Sequence, residues 1–369
     1  MTHAVAFVGF LAVTMTSSSC ATTAKPKADA LPAPTYRALL ERSEVWAPTR
    51  VGEMNLRTGP AAKDGFAPLA TVRCKYKEEE MGGKTPKFTC ELPGGDDLKV
   101  KYGRNNGEVY AEVAATRLLW ALGFGADRMY PAKVECTGCP PELAKTDASA
   151  RIEGNVIRFD YAAIERKADG EEIESVQGPG WSWQDLAAIK PAAPHGRTHR
   201  DALTLLAVML QHTDTKREQQ RLVCLDEGVD DDDEDELAQC VKPFMLISDL
   251  GKTFGKANAF NADDPGSVNL RAWKEAAVWV GKTGCIGNLH PSVTGTLDDP
   301  RISEAGRKFL ADLLAQLTRD QLRDVFDVAR FADRTGTEAQ ADVQAWINAF
   351  QDKVAQIGGR TCPEIRNSK

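Results

Sequence analysis

The stretch H-T-D-T-K-R-E-Q at 212–219, with S-D-L-G at 248–251 downstream of it, decides how the rest of the chain reads. Between them lie two short apolar runs, RLVCL at 221–225 and FMLISDL at 244–250, both rich in residues that suit strands. The acidic run DEGVDDDDEDE at 226–236 separates them and reads as a solvated loop at a hairpin tip. A calcium loop is the alternative, although the ordered D-x-D-x-D-G pattern is missing. Asp214 therefore stands just before the first strand of a hairpin and Asp249 just after the second.

Outward from this hairpin the chain changes character. Downstream and just upstream, from about residue 182, apolar residues recur at helical spacing. The segments are WSWQDLAAI, HRDALTLLAVMLQH, VNLRAWKEAAVWVG, SEAGRKFLADLLAQL, RDQLRDVFDVARF and EAQADVQAWINAFQDKVAQI. From about 50 to 175 the runs are short and strand-like: APLATVRCKY, KFTCEL, LKVKYG, MYPAKVEC and NVIRFDYAAIERK. One helix interrupts them, EVYAEVAATRLLWALGFG, with Val109, Val113, Leu118, Leu119 and Leu122 at helical spacing and Gly123 at its end. In L-K-V-K-Y-G, Lys99 and Lys101 lie two apart and so on one face of a strand. Glu108 and Glu112 share one face of the helix that follows.

The N-terminus predicts export. Residues 4–15, AVAFVGFLAVTM, are an apolar run of signal-peptide length, too short to span a bilayer as a helix. T-S-S-S-C, ending at Cys20, looks like a lipoprotein signal, although MTH carries no Lys or Arg and Ser17 stands where such signals usually carry Leu. An ordinary cleaved signal is the alternative. On the lipoprotein reading, residues 1–20 are the signal, Cys20 takes the lipid anchor, and the location is the periplasm or outer envelope. The Ala/Pro/Thr-rich residues 21–35 are a flexible tether. Eight further cysteines then remain, an even number that suits disulfides in an oxidising compartment. Local spacing pairs Cys74 with Cys90, Cys136 with Cys139 and Cys224 with Cys240, leaving Cys285 for Cys362. The knuckle C-T-G-C stays open as a metal or redox site, but a structural zinc wants a second knuckle, and there is none. A net charge of −7 gives no basic bias, so nucleic acid is not expected as a partner. Three G-K-T triplets, at 83–85, 251–253 and 281–283, lack the upstream glycine of a P-loop.

Laid end to end, these segments give an α+β chain with a strand-rich half carrying one key helix, then a helical half with an embedded hairpin. H-T-D-T-K-R-E-Q resembles the protein-kinase catalytic loop H-x-D-x-K-x-x-N at the same spacing, with Gln219 in place of Asn, and Asp249 falls in the D-F-G position. E-V-A-A-T-R-L-L-W-A-L-G-F at 112–124 and F-M-L-I-S-D-L-G-K-T-F-G at 244–255 resemble blocks of the secretory-pathway Golgi casein kinase family. HipA-type bacterial kinases share the broad scheme. The resemblance spans roughly 99–255 in scattered blocks.

It implies a bilobal protein-kinase-like fold, with an N-lobe over 36–178 and a helical C-lobe over 179–369, and an exported phosphotransferase using ATP with Mg or Mn. By this resemblance Asp214 is the base and Lys216 steadies the transferring group. Lys101, held by Glu112, contacts the nucleotide, and Asp249 and Gln219 bind metal. G-G-K-T-P-K-F at 82–88 is the best segment to cover the phosphates, and no true Gly-rich loop is present. The Gln at 219 and the scarcity of ATP outside the cytoplasm keep a second expectation open: a pseudokinase-like envelope module that binds a nucleotide or partner without turnover. The phosphoacceptor is not legible.

Overall fold

In β1 (Ala70–Lys77), the alternation of A-T-V-R-C-K-Y-K buries Val72 and Cys74 and exposes the residues between them. The computed structural model describes residues 30–83, 85–190, 196–229, 233–255, 267–292, 294–334 and 342–363. The signal segment 1–20 with Cys20, residues 21–29 of the tether, Lys84 and the acidic residues 230–232 lie outside them.

β1 runs into β2 (Lys87–Glu91) and β3 (Asp97–Tyr102), an antiparallel pair with Phe88 opposite Val100 and Cys90 opposite Leu98. Two long strands follow the key helix, β5 (Arg128–Thr137) and β7 (Val156–Arg166). β1 pairs parallel with β5, β5 antiparallel with β7, and β7 antiparallel with β3. That last pairing closes five strands into a barrel, and the short β6 (Arg151–Glu153) hangs from β7 outside it. The barrel is filled by Phe88, Val100, Tyr102, Val134, Phe159 and Ile164 among others, with the Tyr102 and Phe159 rings 4.5 Å apart.

The key helix, α2 (Glu108–Leu122), lies against β5 and β7 on one side and a later helix on the other. All its residues except Trp120 are buried, so it is enclosed nearly all round rather than on one face. Its C-terminus needs Gly123: the φ is +85°, and a Cβ there would lie 2.1 Å from the Ala47 carbonyl oxygen.

The second sheet joins the two halves of the chain. Its order is β4 (Gly125–Ala126), β10 (Pro243–Ile247), β9 (Gln220–Cys224), β8 (Glu171–Ile173). Beside it α4 (Gly196–Leu210) packs on α7 (Glu304–Leu314), and α8 (Arg319–Val328) packs on α9 (Val343–Gly358) and α2. Short helices α3 (Pro141–Lys145), α5 (Glu234–Ala238) and α6 (Leu270–Glu275) fall between these elements in the chain.

Three expectations change. W-S-W-Q-D-L-A-A-I forms a 3-10 turn over Trp183–Ala188, not an α-helix. The helix expected from 268 stops at Glu275, because the next residues have tertiary partners: Trp279 pairs with Gly287 and donates its indole N–H to the Gln356 carbonyl at 3.0 Å. The first helix, α1 (Ala33–Arg42), lies on elements of the C-terminal half. Tyr36 donates to the Gly180 carbonyl at 2.8 Å; just beyond the helix, Glu44 N–H donates to the Pro243 carbonyl at 3.1 Å and Met245 N–H to the Glu44 carbonyl at 2.9 Å. The expected line between 178 and 179 is thus crossed by both α1 and the second sheet.

All four expected cysteine pairs are within bonding distance, with Cα separations of 5.6, 5.7, 5.8 and 5.4 Å for Cys74–Cys90, Cys136–Cys139, Cys224–Cys240 and Cys285–Cys362. Joined to each other, Cys136 and Cys139 offer no thiolate to a metal. No helix of the described residues is long and apolar enough to cross a membrane.

Candidate active site

Lys101 is the centre from which the site is built. It stands near the end of β3 on the barrel's outer face, between Lys87 of β2 and Ala163 of β7 in register. Its ammonium bonds to the Glu112 carboxylate and lies 3.5 Å from both Glu108 Oε2 and Asp249 Oδ2. Glu108 and Glu112 reach it together because residues four apart on a helix share a face. Asp249 reaches it from the turn after β10. Of the two strand lysines, Lys99 instead pairs with Glu165 at 2.8 Å.

The charges do not balance, since three carboxyls surround one buried ammonium. Burial alone pulls the Lys101 proton off, but Asp249, Glu112 and Glu108 outweigh it and hold the pKa well above the ordinary lysine value. Burial pushes Glu112 well above the usual carboxylate range, against Lys101. For Asp249 burial is outweighed by Lys101, the adjacent Glu112 carboxyl and the Gly251 N–H, which donates to its Oδ1 at 2.9 Å; the net direction is down.

The second motif is framed from the backbone. At the end of α4, Gln211 takes φ +57°, and His212 N–H returns to the Ala207 carbonyl at 2.9 Å. The buried His212 ring packs near Trp183, and neither ring nitrogen has a hydrogen-bond partner among the described residues. Burial pushes its pKa down to about 4, so it is neutral at neutral pH. Thr213 N–H donates to the Lys252 carbonyl at 3.0 Å, and Ser248 and Asp249 N–H both donate to the Gln219 carbonyl, at 2.9 and 3.3 Å. The two motifs are thus stitched together main chain to main chain. Between them Asp214 meets Lys216 at 3.3 Å and the Gln219 side-chain amide at 3.3 Å. Burial raises its pKa against the pull of Lys216.

Of the six expected site residues, Lys101, Glu112 and Asp249 meet directly, and Asp214, Lys216 and Gln219 form an adjacent cluster. The Gln219 amide nitrogen is directed at Asp214. Three participants were not singled out for these roles in the sequence. Glu108 accepts from Thr85 Oγ1 at 2.7 Å and pairs with Lys252 at 3.3 Å, so it ties the β1–β2 loop to the D-L-G turn. Gly251 lets α2 approach, since a Cβ there would lie 2.7 Å from Glu108 Cγ. Gly180, at φ +67°, lies against the backbone of Arg217 and Gln220, with a would-be Cβ 2.2 Å from the Gln220 carbonyl oxygen. The i, i+4 spacing of the two glutamates was the available signal for Glu108.

The donor set fits a hard divalent cation. Carboxylate oxygens of Glu108, Glu112 and Asp249 lie within 4.8 Å of one another, and buried Glu112 Oε2 has no hydrogen-bond partner.

No protein-family model matches the chain, and no curated protein matches it. Among solved structures the chain is similar to CtkA, a proinflammatory kinase of Helicobacter pylori, with 9% identity and a TM-score of 0.39, covering 79% of this chain and 95% of that one. It is also similar to the Golgi casein kinase with Mn/ADP bound, at 11% identity and a TM-score of 0.34, over 79% of this chain and 72% of that one. A second Golgi casein kinase structure gives 11% identity and a TM-score of 0.34 over 87% and 82%. These are partial likenesses at low identity.

Proposed function

We propose that this chain is an exported, ATP-dependent phosphotransferase of the kinase type, with the β-barrel and α2 as its nucleotide-binding half and the α4–α9 region as its acceptor half. The observation that carries this reading is the buried Lys101–Glu112 pair with Asp249 3.5 Å from the same ammonium. A lysine so enclosed is costly to bury, and a fold retains it where it can meet phosphate.

In this reading Lys101 holds the nucleotide phosphates, and Glu112 fixes where its ammonium points. Asp249, with Glu108, would hold Mg or Mn, which supplies charge neutralisation at the phosphates. Asp214 orients the acceptor hydroxyl and takes its proton, and its raised pKa makes it a better base at neutral pH. Lys216, 3.3 Å from Asp214, sits where it steadies charge on the transferring group. The four cysteine pairs support an oxidising compartment, in accord with export and an anchor at Cys20.

The test uses the purified full chain with ATP and Mg or Mn, reading nucleotide binding by calorimetry and transfer by autophosphorylation. Asp214→Asn is expected to bind ATP as wild type does and to lose transfer at least about 100-fold. Absence of both binding and transfer in the wild type would sink the proposal. Binding without transfer would favour a pseudokinase-like module, a reading that the Gln219 amide directed at Asp214 favours.

A further inference from the structure

The outer face of β2 and β3 carries three lysines, and two of them have carboxylate partners. Lys99 pairs with Glu165, and Lys101 with Glu112, Glu108 and Asp249. Lys87 differs: among the described residues no carboxylate lies within ion-pair distance of it. Yet it is not a free surface lysine. It is directly opposite Lys101 in the β2–β3 register, and directly opposed residues of an antiparallel pair point to the same face. Its ammonium folds back under the β1–β2 loop, where an atom at the Cβ position of Gly83 would be 3.2 Å from it. The same loop is fastened at both sides of this point, by Glu79 to Thr89 at 2.6 Å and by Thr85 to Glu108 at 2.7 Å.

A half-buried ammonium facing a second ammonium is costly, and Glu108 and Asp249 offset that cost only in part. Burial, then repulsion from Lys101 and Lys99, depresses the Lys87 pKa. Glu108 and Asp249 also attract Lys87, but no ion pair forms, and both lie 3.5 Å from the Lys101 ammonium. What completes Lys87 must therefore be an anion arriving between the β1–β2 loop and Lys101.

We infer that Lys87 is a second phosphate-contacting lysine, which with Lys101 grips the phosphate chain of the nucleotide beneath the β1–β2 loop. This rests on the phosphotransferase reading for the identity of the nucleotide, while the need for an anion follows from Lys87 itself, which has no ion-pair partner among the described residues. The two lysines grip from the sheet side, and Asp249 and Glu108 lie opposite with the metal they would hold. Lys87 thus takes over, as a charged side chain, work that glycine-loop amides do elsewhere, in a chain whose loop has only Gly82 and Gly83.

Calorimetric titration of the full chain with ATP, AMP and inorganic tripolyphosphate, each with Mg, tests this. Lys87→Gln should weaken ATP and tripolyphosphate about tenfold, the effect of losing one charge-assisted contact, and leave AMP unchanged. Lys87→Arg should recover most of the loss. Lys77→Gln, which removes the same charge from a lysine paired with Asp97, should change nothing. Equal ATP and tripolyphosphate binding by wild type and Lys87→Gln overturns the inference. Wild-type binding of tripolyphosphate but not ATP, lost in Lys87→Gln, overturns the phosphotransferase reading and keeps the lysine grip. A wild type that binds neither overturns both.

Discussion

The Lys101 ammonium and the Glu112 carboxylate hydrogen-bond inside the protein, with only 1% and 2% of their side chains exposed. Removing one member of such a pair leaves the other buried and uncompensated. Lys101→Met is therefore expected to lower stability by about 3 kcal/mol and to abolish ATP binding. Lys101→Arg should not rescue either, because a planar fork does not fit a space shaped around three carboxyls and one point charge. Denaturant unfolding and calorimetry read the two effects separately.

Gly180→Ala is expected to disrupt the fold around Arg217 and Gln220 rather than the barrel. A Cβ at Gly180 would lie 2.2 and 2.3 Å from the carbonyl oxygens of Gln220 and Arg217, and its φ of +67° suits glycine. The clash is with backbone, which cannot rotate away, so a loss of about 3 kcal/mol or more is expected. A lower unfolding midpoint and lost transfer activity would record it.

Acid should weaken the protein partly through His212. The unfolded chain binds a proton there near pH 6.5, whereas the folded chain, with the ring buried, resists until about 4. The unfolded state therefore holds more protons between those limits, and stability falls as pH drops through that window. The contribution is about 3 kcal/mol at full extent. His212→Phe keeps the ring packed near Trp183 and removes the titration. Its stability should fall less between pH 6.5 and 4 than that of the wild type, in urea melts at matched pH.

The cysteine pairs should matter unequally. Cys285–Cys362 closes a loop of 77 residues, whereas Cys74–Cys90 and Cys224–Cys240 each close 16 and Cys136–Cys139 closes 3. Loop-closure entropy gives about 4 kcal/mol for the longest loop, about 3 for the two intermediate ones and about 2 for the shortest. Double Cys→Ser variants, melted one pair at a time, should follow that order.

Much of this arrangement was written locally. The strands of the barrel show in two-residue alternation, α2 in its helical spacing, and the Lys101, Glu112, Asp214 and Asp249 positions in short motifs. What was not legible depends on contacts between distant segments. The 276–280 run, A-A-V-W-V, looks helical until Trp279 is seen bonded to Gln356 of α9. Nothing in α1 itself reports that it lies beside β10, and nothing in β3 reports that β7 lies beside it. Glu108 belonged to the site for the same reason: its partners, Thr85 and Lys252, are fixed only by the fold. The function of Gly180 was hidden because its neighbours, Arg217 and Gln220, are far along the chain.

The closing of the barrel by β3 against β7 has a mechanical consequence. The strand that carries Lys101 has neighbours on both sides, so it presents no open rim on which a passing chain could add itself. A signal that shifts the lysine can arrive instead through its carboxyl partners, by tilting α2 or by moving the turn after β10. Insertion of a foreign strand is not a route to turn this site on or off.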